Sequence, residues 1–243
     1  MFELFRNLRN YAKYRNRVTG QIWGKYFSLN SIDKKLEKFL PEKNLYFVEL
    51  GANDGVSQSN TKYFEMYKKW HGILIEPYEP NYRKCRRNRS RRSHVVHAAC
   101  VSRSFLAPTI KLMYSNLMTI ALEGLNDIGN REAHAESGRK FYIHNADEKE
   151  FYAPARTLNS ILKAYQAPKK IDFLSLDVEG GEIEVLKGLD LSEFQFRYIC
   201  IETRSFDTIK EILFENGYSL VEKLTNHDYL FEYSKGIQQV EGI

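Results

Sequence analysis

The sequence predicts an α/β fold: a mostly parallel sheet with helices on both faces, an antiparallel strand at its end and helices added at the N-terminus. Three observations carry this expectation. Short apolar runs alternate with segments of helical periodicity over most of residues 45–216, the pattern of successive βα units. The first run leads into a glycine-rich turn, Val48-Glu49-Leu50-Gly51-Ala52-Asn53-Asp54-Gly55. The chain then closes on two strand-like runs, Gly217-Tyr-Ser-Leu-Val-Glu222 and Asp228-Tyr-Leu-Phe-Glu-Tyr233, joined by Thr225-Asn-His-Asp228, which reads as a hairpin.

Residues 2–16 carry Phe2, Phe5, Leu8, Arg9 and Ala12 at helical spacing with basic residues between them, an amphipathic basic helix suited to packing on the domain, closing over a site or touching an anionic surface. Ser31–Leu40 reads as a second helix, stopped by Pro41 and with Asp33 in its first turn. Residues 1–44 are therefore taken as a basic helical extension and 45–243 as the main domain. Strand 45–50 leads to helix 58–69, strand 72–76 to a basic helix near 80–90, and strand 94–98 follows. Residues 105–155 form no clean α/β unit. They hold an apolar piece at 109–114 and then a polar stretch, expected to be an inserted excursion with a mobile loop. Order returns with helix 157–165, strand 171–177, a helix from about 181, strand 196–202 and helix 206–216.

At 243 residues, 43% hydrophobic and 14% aromatic, the chain has enough apolar material for one substantial core and excludes disorder. The net charge of +5 is concentrated. Residues 1–26 carry Arg6, Arg9, Lys13, Arg15, Arg17 and Lys25 against Glu3, and Arg83–Arg92 holds seven basic residues in ten. Such runs form a solvated face or meet an anionic partner. The three cysteines, Cys85, Cys100 and Cys200, are widely spaced, which suggests neither a zinc site nor a disulfide framework. The N-terminus has too short an apolar run for a signal peptide or membrane span, so a cytoplasmic location is expected.

The turn after the first strand places glycines where backbone approaches a ligand, and the second strand ends in Glu76-Pro77, an acid positioned to accept ribose hydroxyls. The spacing is not G-x-G-x-x-G, and Glu49 would repel a phosphate. A ligand with a ribose and a cationic end fits better, and S-adenosylmethionine (SAM) is one. A second constellation, Ile171-Asp-Phe-Leu-Ser-Leu-Asp177-Val-Glu179-Gly180-Gly181-Glu182, ends another strand in carboxylates and glycines. Asp177 or Glu179 could instead cap the following helix. Glu202 closes a third strand just before Arg204. Four strand-end acids (Glu49, Glu76, Asp177 and Glu202) on one edge repel one another unless a cation or a hydroxyl-rich ligand sits among them.

These residues, with Ala99-Cys-Val-Ser102 and Thr157-Leu-Asn-Ser-Ile-Leu162, resemble the FkbM family of SAM-dependent methyltransferases from about residue 45 to 233. The resemblance implies a Rossmann-like class I methyltransferase: a seven-stranded, mostly parallel sheet with an antiparallel terminal strand. It implies that Glu49, Gly51, Ala52, Asn53, Asp54 and Gly55 surround the methionine part of the cofactor, that Glu76 and Pro77 lie at the ribose, that Ala99 and Cys100 lie near the adenine, and that Asp177 and Glu179 lie near the transferred methyl. Family members generally methylate hydroxyl groups of natural products and glycans.

Methyl transfer to a hydroxyl needs an in-line oxygen roughly 3 Å away and an acceptor for its proton. Asp177 is the first choice of base and Glu179 the second. Glu202, Arg204 and His144 are the candidate acceptor contacts. A divalent metal held by Asp177, Glu179 and Glu202 is an alternative that is not favoured. The expected acceptor is a sugar or glycan hydroxyl, with an anionic portion that the basic runs would meet. Peripheral membrane contact through the N-terminal helix stays open, and nucleic acid is the less favoured partner. The rival readings are an NAD enzyme, which lacks its glycine spacing, an inactive SAM-fold binding module, and an RNA or small natural-product methyltransferase. The absence of an Asn/Asp-Pro-Pro-Tyr/Phe tetrapeptide disfavours base N-methylation.

Overall fold

A computed structural model describes residues 25–115, 118–121 and 149–234. The N-terminal amphipathic helix, the greater part of the polar excursion and His144 lie outside the described residues. Helix α1 (Ile32–Leu36) is followed by strand β1 (Tyr46–Leu50), α2 (Lys62–Lys68), β2 (His71–Glu76), α3 (Glu79–Asn88), β3 (His94–His97) and the short β4 (Ala99–Cys100). Then come β5 (Thr109–Ser115), β6 (Met118–Ala121), β7 (Lys149–Arg156), α4 (Leu158–Ala164), β8 (Lys170–Leu176), α5 (Glu182–Lys187), β9 (Gln195–Glu202), α6 (Phe206–Glu215), β10 (Tyr218–Lys223) and β11 (Asp228–Tyr233).

Seven strands form one sheet in the order β10-β11-β9-β8-β1-β2-β3. β3, β2, β1, β8 and β9 run parallel, and β11 is antiparallel to both β9 and β10, as the terminal hairpin predicts. The period of two along each strand sorts side chains to opposite faces. Val48, Leu50, Ile73, Ile75, Leu174 and Leu176 pack with Leu158, Ile161, Val185, Ile209 and Leu213 of α4, α5 and α6. Phe47, Leu74, Phe173 and Tyr198 face Phe64 of α2, Cys85 of α3 and Trp70 on the other side. Trp70 stacks on Phe64 at 4.1 Å, and its indole N–H donates to the Glu42 carbonyl. Burial on both faces accounts for the near-continuous apolar strands of the sequence.

Residues 25–44 join this second face. Ile32, Leu36 and Leu40 are buried in the same cluster, and Ser28 bridges to Gln58, just beyond the glycine-rich turn. The helix expected over 31–40 is shorter, because Asn30 and Ser31 adopt left-handed backbone and regular helix ends at Leu36.

The excursion holds more order than its sequence suggests. β5 pairs antiparallel with β6 and β7, and β4 pairs with β7, giving a second, four-stranded sheet in the order β4-β7-β5-β6. Its inner side buries Ala99, Val101, Ile110, Leu112 and Ala153. Among the described residues no helix is long and apolar enough to cross a membrane.

Candidate active site

The main sheet reverses its strand order between β1 and β8, since β1 is followed outward by β2 and β3 and β8 by β9. Ligands in open α/β sheets sit beyond the carboxyl ends of the strands at such a point. A cleft opens there. Gly51 and Asn53 after β1, Glu76 and Pro77 after β2, and Asp177, Val178, Glu179 and Gly181 after β8 form one side of it. Ala98, Ala99 and Cys100 line it, and the second sheet contributes Ile110, Leu112 and Tyr114.

The glycines act on packing rather than by opening toward the cleft. Gly51 has φ +74°, and a Cβ there would lie 1.9 Å from the Asp177 carbonyl oxygen, so glycine lets the turn close against β8. Gly55, at φ +79°, faces Arg89 and Cys85, each 2.8 Å from where its Cβ would be. Asp54 also turns inward: its carboxylate accepts the Val56 and Ser57 N–H groups at 2.9 and 2.8 Å. Ala52 is buried in the α1–α3 face, and its N–H donates to the Ile75 carbonyl at 3.1 Å. None of Ala52, Asp54 and Gly55 lines the cleft.

Glu49 does not line it either. Strand alternation puts Glu49 on the same face as Phe47, under α2 and α3, where its carboxylate accepts from Ser59, Asn60 and Thr61. Its counterion is Arg89, 3.3 Å away with a side chain 0% exposed. Arg89 also lies 3.2 Å from Glu65 and donates to the Gly55 carbonyl, Ser59 and Thr61. Lys62, also buried, pairs with Glu65 at 3.0 Å. Burial opposes ionisation of Glu65, but Arg89 and Lys62 outweigh it and hold the carboxyl below its usual range. The sequence set Arg89 among surface charges. It is instead the centre of a buried network behind the turn.

Glu76 is 4% exposed, and its two oxygens accept the N–H groups of Asn53 and Tyr78, both at 2.8 Å. Burial outweighs these bonds and lifts its pKa from 4.5 to about 7. At the opposite end, Asp177 is raised well above the carboxylate range, by burial first and then by the charges of Glu202, Glu179, Glu182 and Asp228. Asp177 therefore keeps its proton and donates a hydrogen bond to Glu202, whose own value is raised by burial and by Asp228, its register partner across β9 and β11. Glu179 stands at φ +53° and rises to about 7 through burial and the charges of Glu202 and Glu182, against the opposing charge of exposed Arg204. Neither Asp177 nor Glu179 caps α5. The Gly180 N–H is taken by Glu182 at 2.8 Å, and the N-cap position is Gly181.

The strand-end acids thus divide among three places: Glu49 behind the turn, Glu76 in the cleft wall, and Asp177 with Glu202 beside Glu179, Glu182 and Asp228. Among the described residues no three His, Cys, Asp or Glu side chains converge as a metal-ligating set. The Cys100 thiol is pushed up to about 12 by burial, which leaves it un-ionised in the cleft wall. His97 is structural, with its ring Nε2 2.9 Å from the Pro77 carbonyl and the ring stacked on Tyr82. Sequence reasoning missed Asn81, Tyr114, Glu182 and Asp228. Ile110, Leu112 and Tyr114 stand at period two within the apolar piece at 109–114, the signal from which their common strand face could have been read.

The sheet order and the cleft at its switch point define a Rossmann-like α/β fold, and the family match places it among the SAM-dependent methyltransferases. The description "Methyltransferase FkbM domain" matches residues 49–229, and the chain belongs to that family. No curated protein matches the sequence. Among solved structures, a methyltransferase from Pyrococcus furiosus is similar at 12% identity, covering 94% of this chain and 96% of that one, with a TM-score of 0.43. A SAM-dependent methyltransferase from Aquifex aeolicus is similar at 11%, covering 85% and 89%, with a TM-score of 0.41. The Methanococcus jannaschii fibrillarin pre-rRNA processing protein is similar at 12%, covering 79% and 68%, with a TM-score of 0.42.

Buried carboxyls with raised values predict an unusual pH dependence for the ligand-free protein. Such groups favour the fold while protonated, so their contribution is complete below the ordinary 4.5 and is lost as pH rises through about 7. For Glu76 alone the difference is on the order of 3 kcal/mol. Glu37, held near 2 by Tyr63, Tyr26 and Lys68 against the cost of burial, is ionised throughout this window and contributes no opposing slope. The urea midpoint of the ligand-free protein is expected to fall between pH 5.5 and pH 8. A midpoint that rose over the same range would contradict these assignments.

Proposed function

We propose that the protein transfers a methyl group from SAM to a hydroxyl of a sugar or glycan, either a nucleotide-sugar or a growing polysaccharide, in the cytoplasm. The observation that carries this reading is Glu179, a carboxyl poised near neutrality beside Asp177 in the wall of the cleft. A base acts best with a pKa near the working pH, and a sugar hydroxyl needs one because it is a weak nucleophile when neutral.

The cleft suits SAM by its donor set. It has a buried acid for a diol at Glu76, an apolar slot at Ala98, Ala99, Cys100, Ile110 and Leu112, and a carboxyl at Glu179, beside Asp177, for a cationic group. In this reading Glu76 and Pro77 border the ribose, Ala99 and Cys100 border the adenine, and Gly51 and Asn53 border the methionine portion. Ala52, Asp54, Gly55 and Glu49 act from behind by fixing the turn. When bound, SAM supplies a methyl group already activated on a sulfonium. Glu179 accepts the proton of the acceptor hydroxyl. Asp177, protonated and bonded to Glu202, orients that oxygen, and Arg204 and Glu202 border the acceptor. Three unpaired cysteines suit the reducing cytoplasm.

The direct test offers methyl-labelled SAM together with nucleotide-sugars, anionic polysaccharides and RNA. Label in a sugar hydroxyl is the expected result. Label in RNA alone would replace the acceptor class.

The basic surface of α3 and of the segment just after it supports an anionic portion in the acceptor. Arg86, Arg87 and Arg91 are exposed, whereas Arg89 is not. Exposed charge is screened over about 8 Å at physiological ionic strength. The acceptor KM is therefore expected to rise with salt while SAM affinity barely changes, and Arg86→Ala, Arg87→Ala and Arg91→Ala combined should reproduce that rise. A KM indifferent to both would leave this surface as solvated charge.

A further inference from the structure

We infer that Tyr114 of the second sheet and Asn81 of α3 complete the ribose site as hydrogen-bond donors, so that the second sheet is a working wall of the cofactor cleft. The inference rests on the reading that Glu76 faces the ribose.

A ribose diol presents two O–H donors and, on the same oxygens, lone pairs that need donors in return. An ionised carboxylate only accepts. Glu76 can take the hydroxyl hydrogens, but it leaves the ribose oxygens unsatisfied in a buried place, and an unmade bond there is costly. Apart from Asp177, whose proton is given to Glu202, the described side chains lining the cleft that carry strong donors are Asn53, Asn81 and Tyr114. Asn81 is 4% exposed, and it hydrogen-bonds with the Tyr114 hydroxyl. That hydroxyl lies within the electrostatic reach of Glu76, so Asn81, Tyr114 and Glu76 share one part of the cleft lining, with the Asn53 N–H bonded to Glu76.

Tyr78 holds the arrangement together. Its N–H donates to Glu76 at 2.8 Å, and its ring stacks on Tyr114 with centroids 4.0 Å apart and planes 15° from parallel. Phe151 of β7 meets the Tyr78 ring edge-on at 5.1 Å. The turn after β2 therefore positions the acceptor through its backbone and the donor from the second sheet through its side chain. Tyr114 itself, half-buried, is fixed by the β5–β7 pairing.

The test is calorimetric binding of S-adenosylhomocysteine and of its 2′-deoxy and 3′-deoxy forms. For S-adenosylhomocysteine, Tyr114→Phe keeps the ring stack and is expected to bind about three- to tenfold more weakly, the loss of one neutral hydrogen bond. With one of the two deoxy forms, Tyr114→Phe and the unsubstituted protein should bind alike, because the partner hydroxyl is gone. Asn81→Ala reads the same contact from the other element and serves where Tyr114→Phe folds poorly. Glu76→Ala should weaken S-adenosylhomocysteine binding tenfold or more. If Glu76→Ala weakens binding while Tyr114→Phe and Asn81→Ala do not, or if they weaken all three ligands equally, this inference is overturned and the ribose reading stands. If Glu76→Ala also has no effect, the ribose reading itself is wrong.

Discussion

Arg89→Met is expected to destabilise the domain by about 3–5 kcal/mol, the cost of breaking a buried ion network from one side. The guanidinium is fully buried between Glu49 and Glu65, and it also serves Ser59, Thr61 and the Gly55 carbonyl. Methionine fills most of the volume and supplies no donor. Glu49 is then left with hydroxyl and amide partners only, while Glu65 keeps Lys62, the Ser90 N–H and the Ser93 hydroxyl. Glu49→Gln added to Arg89→Met should recover part of the loss, because it removes the carboxylate left without a cation, whereas Glu65 keeps Lys62. Urea denaturation measures both. Because Arg89 and Asn88 hold the Gly55 and Asp54 carbonyls, the folded variant should also bind S-adenosylhomocysteine more weakly. A loss below about 1 kcal/mol, the scale of an exposed ion pair, would mean that the charge is solvated after all.

This network shows where the sequence is legible and where it is not. The strands of the main sheet can be read because each is an apolar run of strand length, and the terminal hairpin because its turn residues sit between two such runs. Arg89 lies in a run of seven basic residues, and composition assigns that run to solvent. Yet Asn81 and Cys85 on the buried side of α3 and Arg89 at its C-cap recur at intervals of four, so helical periodicity held the information that charge counting discarded. Glu49 misleads for a different reason. Alternation separates it from Val48 and Leu50, but which face receives α2 and α3 is a property of the whole sheet. The second sheet was hidden because β5 pairs with β7 from Thr109↔Pro154 to Tyr114↔Lys149, a contact between segments far apart in sequence that no local window reports. Tyr114 was lost to the site reading with it.

Glu179→Gln is expected to lower kcat by about 10²- to 10⁴-fold, the usual contribution of a general base, while S-adenosylhomocysteine affinity stays within a few-fold. Asp177→Asn should cost less than about tenfold. This reverses the order in which the sequence ranks the two, and the reason is where the protons reside. Asp177 is raised well above the carboxylate range by burial and by four neighbouring acids, so it holds its proton and points it at Glu202. An asparagine amide donates to Glu202 in the same way and leaves that geometry intact. Glu179 sits near 7 and so shares its time between carboxylate and acid at neutral pH. It accepts a proton without having first to lose one at great cost. The rate should accordingly rise with pH through about 7 and level off, and Glu179→Gln should abolish that rise. Activities are to be compared on the acceptor found with labelled SAM, across pH 5.5–9. A large loss in Asp177→Asn with Glu179→Gln near full activity would return the base to Asp177, and equal large losses would mean that the two carboxyls act as one proton-sharing unit.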